Sequence, residues 1–124
     1  MEIKFDTKEN FSIITPVSDE LSANLAGAIN ETCTQLRDSG SDNFIIDLQH
    51  CIKLNKDAVN ELVKMHEECY SMDQSLVFTG LNNTLMAGLK ENETDLLINI
   101  APRMEEAVDI ISMEILERDL FNEE

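Results

Sequence analysis

The stretch FIIDLQHCIKLNKDAVNELVKM, Phe44 to Met65, changes its hydrophobic period partway along, and that change constrains the fold more than any other feature of the chain. Phe44, Ile45 and Ile46 are contiguous and apolar, the pattern of a central strand covered on both faces. From Asp57 to about Tyr70 the apolar residues take helical spacing. Val59, Leu62, Val63, His66 and Cys69 fall on or near the inner face, with Asn60, Glu61, Lys64 and Glu67 outward. A buried strand feeding an amphipathic helix calls for an α/β sheet, and in open sheets of that kind ligands and partners meet the carboxyl ends of the strands. The polar turn Asn55, Lys56, Asp57, Ala58 lies at such a point, so it is the first place to look for function.

The same alternation recurs along the chain. IKFDT and FSIITPV, separated by Lys8, Glu9 and Asn10, read as two strands joined by a tight turn. Phe11, Ile13 and Thr15 lie on one side of the second, Ser12 and Ile14 on the other, and Pro16 ends it. Ser18 or Asp19 offers an N-cap to a helix with apolar positions Leu21, Leu25, Ala28, Ile29, Cys33 and Leu36, stopped by the cluster from Asp38 to Asp42. SLVFTGL is a buried strand ended at Gly80, Asn82 or Asn83 caps a short helix through Leu85 and Leu89, and LLINI is the last strand. Pro102 suits the first residue of a final helix whose apolar positions are Ala107, Ile110, Ile111, Met113, Leu116 and Leu120. The order β β α β α β α β α predicts a mainly parallel sheet of four to five strands with an antiparallel edge strand and about four helices. One domain is expected over residues 1–120, with 121–124 as a frayed tail; a docking helix from Ile115 to Glu124 is the alternative for that end.

Composition narrows the function. A chain of 124 residues buries one core, and its longest apolar runs fall far short of the ~20 residues a membrane helix needs, so a soluble, cytoplasmic domain without membrane insertion is expected. The formal charge of -16 disfavours nucleic acid and suits a protein partner with a basic docking face, or simply a solvated acidic surface. Cys33, Cys51 and Cys69 form no CxxC pair and read as reduced thiols. His50, Cys51, His66 and Cys69 have the residue types of a zinc site, but His50 and Cys51 are neighbours in an extended segment and point to opposite sides. No GxGxxG, GxxxxGK or GxSxG motif is present, so neither a cofactor nor catalysis is expected.

The phrase FIIDLQHCIKLNKDAVNEL resembles the signature of the STAS domain, shared by bacterial anti-sigma factor antagonists and the cytoplasmic ends of sulfate transporters. The likeness extends through TPVSDELSANL, LVFTGL and LINIAPRMEEAVDII, and so over nearly the whole chain. In that family a strand ending in Asp-Leu leads to a turn of the form Asp-Ser-Ser-Gly or Asp-Ser-Thr-Gly that starts a helix. Aligned on Asp47 and Leu48, that turn falls on Asn55, Lys56, Asp57 and Ala58. In partner-switching antagonists the second hydroxyl residue of the turn is phosphorylated by an anti-sigma factor that is also a kinase, and the added charge of about -1.5 to -2 opposes docking. This chain has Asp57 at that position and no serine or threonine between Ser41 and Ser71.

The resemblance therefore implies a regulatory protein-binding module with a fixed negative charge at the phosphoacceptor position, with Ser18 or Ser71 as alternative modification sites. Its expected face comprises Ser18, Asn55, Lys56, Asp57, Ala58, Asn60, Glu61, Lys64 and Gly80. Ala58 would allow close approach, Asp57 would set charge and cap the helix, and Asn55 and Lys56 would hydrogen-bond the partner. The implied partner is an anti-sigma factor of the serine-kinase type or, in an accessory role, the ATPase of a membrane transport complex. A second copy of the chain is a further candidate.

Overall fold

A computed structural model describes residues 2–122 of the chain. Among these residues are seven strands, β1 (Glu2–Thr7), β2 (Ser12–Val17), β3 (Glu20–Leu21), β4 (Phe44–Asp47), β5 (Lys53–Leu54), β6 (Leu76–Thr79) and β7 (Ile100–Ala101), and four α-helices. These are α1 (Ala23–Asp38), α2 (Ala58–Ser71), α3 (Asn83–Glu91) and α4 (Met104–Phe121). The main sheet has the order β1-β2-β4-β6-β7, with β1 antiparallel to β2 and every other neighbour parallel. β3 and β5 form a separate two-stranded parallel ribbon.

Two-residue periodicity divides the core. Phe44, Ile46, Leu76, Phe78 and Ile14 point to one face, where Leu25, Ile29 and Cys33 of α1, Leu62 and Met65 of α2 and Leu85 of α3 cover them. Ile45 and Val77 point to the other, where Ala107 and Ile111 of α4 cover them. Each such fully buried aliphatic side chain contributes about 2 kcal/mol by leaving water. The expected central strand covered on both faces is β4, all four residues of which are buried.

Several boundaries differ from the sequence expectation. Pro16 does not end β2 but lies inside it, opposite Ile3 of β1. β4 reaches only Ser12, Ile13 and Ile14, so the missing N–H costs no bond there. Leu21 belongs to β3, and α1 is capped by Ser22, whose hydroxyl accepts from Leu25 N at 3.1 Å, rather than by Ser18 or Asp19. Ala26 fills the core position expected of Ala28, which is half-buried. Asn82 caps α3, accepting from Leu85 N at 2.8 Å.

The expected strand LLINI shrinks to Ile100–Ala101. Thr94–Leu96 forms a 3-10 turn, and its last residue Leu96 and the following Leu97 face solvent. Pro102 precedes α4 by two residues, and Arg103 is the N-cap. Met113, Leu116 and Leu120 are exposed, because α4 has apolar residues on two sides and the sheet takes Ala107, Ile110, Ile111 and Ile115. Of the expected frayed tail, Phe121 is the last residue of α4 and Asn122 caps it, while Glu123 and Glu124 lie outside the described residues.

Candidate functional site

Three loops meet beyond the carboxyl ends of the parallel strands, and backbone hydrogen bonds hold them together. Ile52 N and Lys53 N both donate to Asp19 O, at 2.7 and 3.1 Å, and Asn55 N donates to Leu21 O at 3.0 Å. Asn82 Nδ2 donates to Ile52 O at 3.2 Å. The β3–β5 ribbon thereby brings the Ser18 loop, the Asn55 turn and the Gly80 loop to one end of the molecule. Ser18 is half-buried, and its hydroxyl donates to Glu20 O at 3.4 Å.

Asn55 makes the turn. Its side-chain oxygen accepts from Asp57 N at 2.9 Å and its carbonyl accepts from Ala58 N at 3.0 Å, the geometry of an Asx turn opening a helix. Asp57 is exposed and already helical at φ -66 and ψ -19, and its carboxylate makes no capping bond. The expected capping bond is therefore made by Asn55 rather than Asp57, which already has helical backbone angles where a capping residue typically has extended ones. Ala58 is fully buried against the core and does not reach the surface, which removes it from the expected face.

From the turn the exposed side of α2 continues through Asn60 and Lys64, with Glu61 half-buried and 3.9 Å from Lys64 Nζ. A shallow groove runs beside it, walled by Lys56, Asp57, Asn60 and Lys64 on one side and by Asn92 and Leu97 on the other. Leu97, 55% exposed, lines this groove, although the sequence pattern predicts it inside a strand. Two adjacent leucines between acidic residues were the available signal.

Gly80 serves geometry rather than contact. At φ +77 a Cβ there would stand 2.5 Å from Asp47 Oδ1 and 3.0 Å from Gln49 N. Asp47, 7% exposed, accepts from Gln49 N at 3.2 Å and Gln49 Nε2 at 2.6 Å, so the ends of β4 and β6 close tightly on each other.

The residues weighed as zinc ligands are dispersed. Cys69 Sγ accepts from Arg37 at 3.1 Å, the His66 ring lies 4.5 Å from that of Tyr70, Cys51 is buried and His50 is exposed. Among the described residues no three His, Cys, Asp or Glu side chains come together to hold a metal ion. Burial pushes the Cys33 thiol up to about 12 and the Cys51 thiol up to about 11, which keeps both protonated near neutrality. Among the described residues no helix is long and apolar enough to cross a membrane.

The sequence matches no protein-family model and no curated protein significantly. The structure does have close neighbours. An anti-sigma factor antagonist from Mycobacterium paratuberculosis superposes with a TM-score of 0.75 at 12% identity, over 90% of this chain and 93% of that one. A serine-to-glutamate variant of RsbS from Moorella thermoacetica gives 0.73 at 13% identity, over 95% and 99%. The anti-sigma factor antagonist SpoIIAA of Bacillus, in its unphosphorylated form, gives 0.69 at 12%, over 90% and 96%. At these identities the likeness establishes the fold, which is the expected mixed α/β fold with a mainly parallel sheet and an antiparallel edge pair.

Proposed function

We propose, from the premise that this chain has the STAS fold, that it is a regulatory module in the manner of an anti-sigma factor antagonist, binding a cytoplasmic protein partner and catalysing nothing itself. The neighbours named as antagonists support the class of function. The binding face consists of Asn55, Lys56, Asp57, Asn60, Glu61, Lys64 and Leu97, with the Ser18 and Gly80 loops shaping its border.

One observation carries the reading: Asp57 is exposed at the start of α2 and its carboxylate has no capping role. A charge with no structural work at the position aligned with the family's phosphoacceptor fits a module that is independent of phosphorylation, or fixed as a mimic of the phosphorylated state. One carboxylate supplies less charge than a phosphate, so the released state would be only partly reproduced. The face itself is charge-balanced, with Lys56 and Lys64 against Asp57 and Glu61, so the net charge of -16 favours a basic partner by long-range attraction rather than by contacts at this face.

The test is an affinity pull-down from the source cell with wild type and Asp57→Ser as baits, read by mass spectrometry. If Asp57 mimics the phosphorylated state, Asp57→Ser captures an anti-sigma-type kinase that wild type holds weakly, and becomes phosphorylated. Equal recovery of one partner by both baits would exclude the mimic and leave phosphorylation-independent binding by the rest of the face, and recovery of no partner by either would overturn the reading. Recovery of a transport ATPase in the membrane fraction by both would replace the reading with that of an accessory transport subunit, which needs no phosphorylatable residue.

A further inference from the structure

β1 runs along the open edge of the main sheet with every residue exposed except the half-buried Ile3. Antiparallel neighbours alternate between pairs that exchange backbone hydrogen bonds and pairs that do not. Lys8 N donates to Phe11 O at 2.8 Å across the hairpin turn, and Pro16, which has no N–H, stands opposite Ile3. Both facts put Glu2, Lys4 and Asp6 in the bonded pairs with β2. Ile3, Phe5 and Thr7 consequently turn their N–H and C=O groups outward, to the free edge.

Charge follows the other parity. Glu2, Lys4, Asp6 and Lys8 alternate in sign along the strand. We propose that β1 pairs antiparallel with β1 of a second copy of this chain, about a two-fold axis through Phe5, joining two sheets into one. Phe5 then faces its own copy and Ile3 faces Thr7, with each outward N–H opposite an outward carbonyl. Glu2 meets Lys8 and Lys4 meets Asp6, at the close, non-bonded positions where Cα atoms are about 4.5 Å apart.

The charges also select the register. Sliding by two residues one way sets Lys4 against Lys4 and Glu2 against Asp6; sliding the other way sets Lys4 against Lys8 and Asp6 against Asp6. Like charges directly opposite are destabilising, which disfavours both of these slips; a slip of four restores opposite pairs, Glu2 with Lys4 or Asp6 with Lys8, but shortens the overlap to three residues, so the register centred on Phe5 is favoured by its length.

Two features of the single chain fit this pairing. Phe5 is 59% exposed, standing beside Ile14 with no aromatic neighbour among the described residues. Lys4 has no ion-pair partner among the described residues, whereas Lys8 pairs only with the exposed Asp6, at 2.9 Å. An edge strand this long otherwise invites unwanted pairing, and a sign pattern whose longest self-complementary register is centred on Phe5 favours that pairing over slipped ones. This surface lies on the sheet edge, away from the α2 face, and the inference does not depend on the function proposed above.

Sedimentation equilibrium of the whole chain at physiological salt tests it, with Lys4→Glu and Asp6→Lys chains for comparison. Wild type forms a dimer; each substituted chain alone dimerises about tenfold more weakly; and an equimolar mixture of the two recovers the dimer, because each supplies the charge the other lacks. Phe5→Pro removes an outward N–H that the fold does not use, and abolishes the dimer without changing the circular dichroism spectrum. A wild type that stays monomeric at NMR concentrations, or a dimer indifferent to both substitutions, overturns the proposal.

Discussion

The two ends of the sheet use their polar residues in opposite ways. At the amino ends of the strands Glu114 of α4 accepts from Tyr70 Oη and Ser75 Oγ, both at 2.6 Å. Arg118 donates to Asn43 Oδ1 at 2.9 Å and Ser75 Oγ at 3.0 Å. Asn43 Oδ1 also accepts from Ser75 N at 2.9 Å, and Arg37 spans α1 and the loop after α2 through Gln74 at 2.6 Å. At the carboxyl ends Lys56, Asp57, Asn60 and Lys64 lie exposed, with one loose ion pair among their contacts. Polar groups that lock α4 and α2 to the sheet are shared and partly buried, while those around the Asn55 turn are left to solvent. A low-dielectric network is costly to break, and a solvated face is free to exchange water for a partner.

Breaking the braced end should have the largest effect. Glu114→Ala leaves the Tyr70 and Ser75 hydroxyls without their acceptor and should lower the unfolding free energy by about 3 kcal/mol in urea titration. Asp57→Ala and Lys64→Ala should each stay within about 0.5 kcal/mol of wild type. Equal costs for Glu114→Ala and Asp57→Ala would erase the distinction between the ends.

A second substitution sharpens the contrast by testing the tight approach of the β4 and β6 ends beneath the Asn55 turn. Gly80→Ala forces a positive φ on a residue with Cβ and drives that atom into the Asp47 carboxylate, and should cost about 2 kcal/mol. Its thermal midpoint should fall well below that of Asp57→Ala. An unchanged midpoint would mean that the β4 and β6 ends relax freely.

The smallest effect is the pH response, which should come from the braced end. Burial holds the His66 imidazole below its usual 6.5, with Glu114 and Glu67 opposing. The unfolded chain then binds the proton more readily, so this contribution is complete above about pH 6.5 and is lost as pH falls. Burial, helped by Glu114, raises the Tyr70 phenol above its usual 10.0, so its contribution is complete below pH 10 and is lost above it. Thermal midpoints recorded against pH should decline on both sides. His66→Phe should flatten the acid limb, and an acid limb unaltered by that change would assign it to other groups.

Which parts were legible follows from the range of the interactions. β4, β6 and the inner face of α2 were readable because contiguous apolar runs and helical spacing are local signals. The β3–β5 ribbon was not, since two residues per strand carry no period, and Leu21 was therefore placed in a helix. The outward stripe of α4 was misread because Met113, Leu116 and Leu120 have the same composition as the buried side. The Tyr70–Glu114 pair joins residues 44 apart, which no local pattern encodes. At the site, the turn and its neighbouring loops were legible as positions, while the division of labour between Asn55 and Asp57 depended on backbone angles.

On the function proposed above, the exposed side of α2, beyond the Asn55 turn, meets the protein partner, and the opposite face of the sheet is not needed for it. A photo-crosslinking amino acid placed at Asn60, and separately at Asp109 on α4, tests this in the source cell, because both positions are exposed and lie on opposite faces of the sheet. A discrete heterologous adduct is expected from Asn60 and none from Asp109. An adduct from Asp109 alone, or none from Asn60, would contradict it.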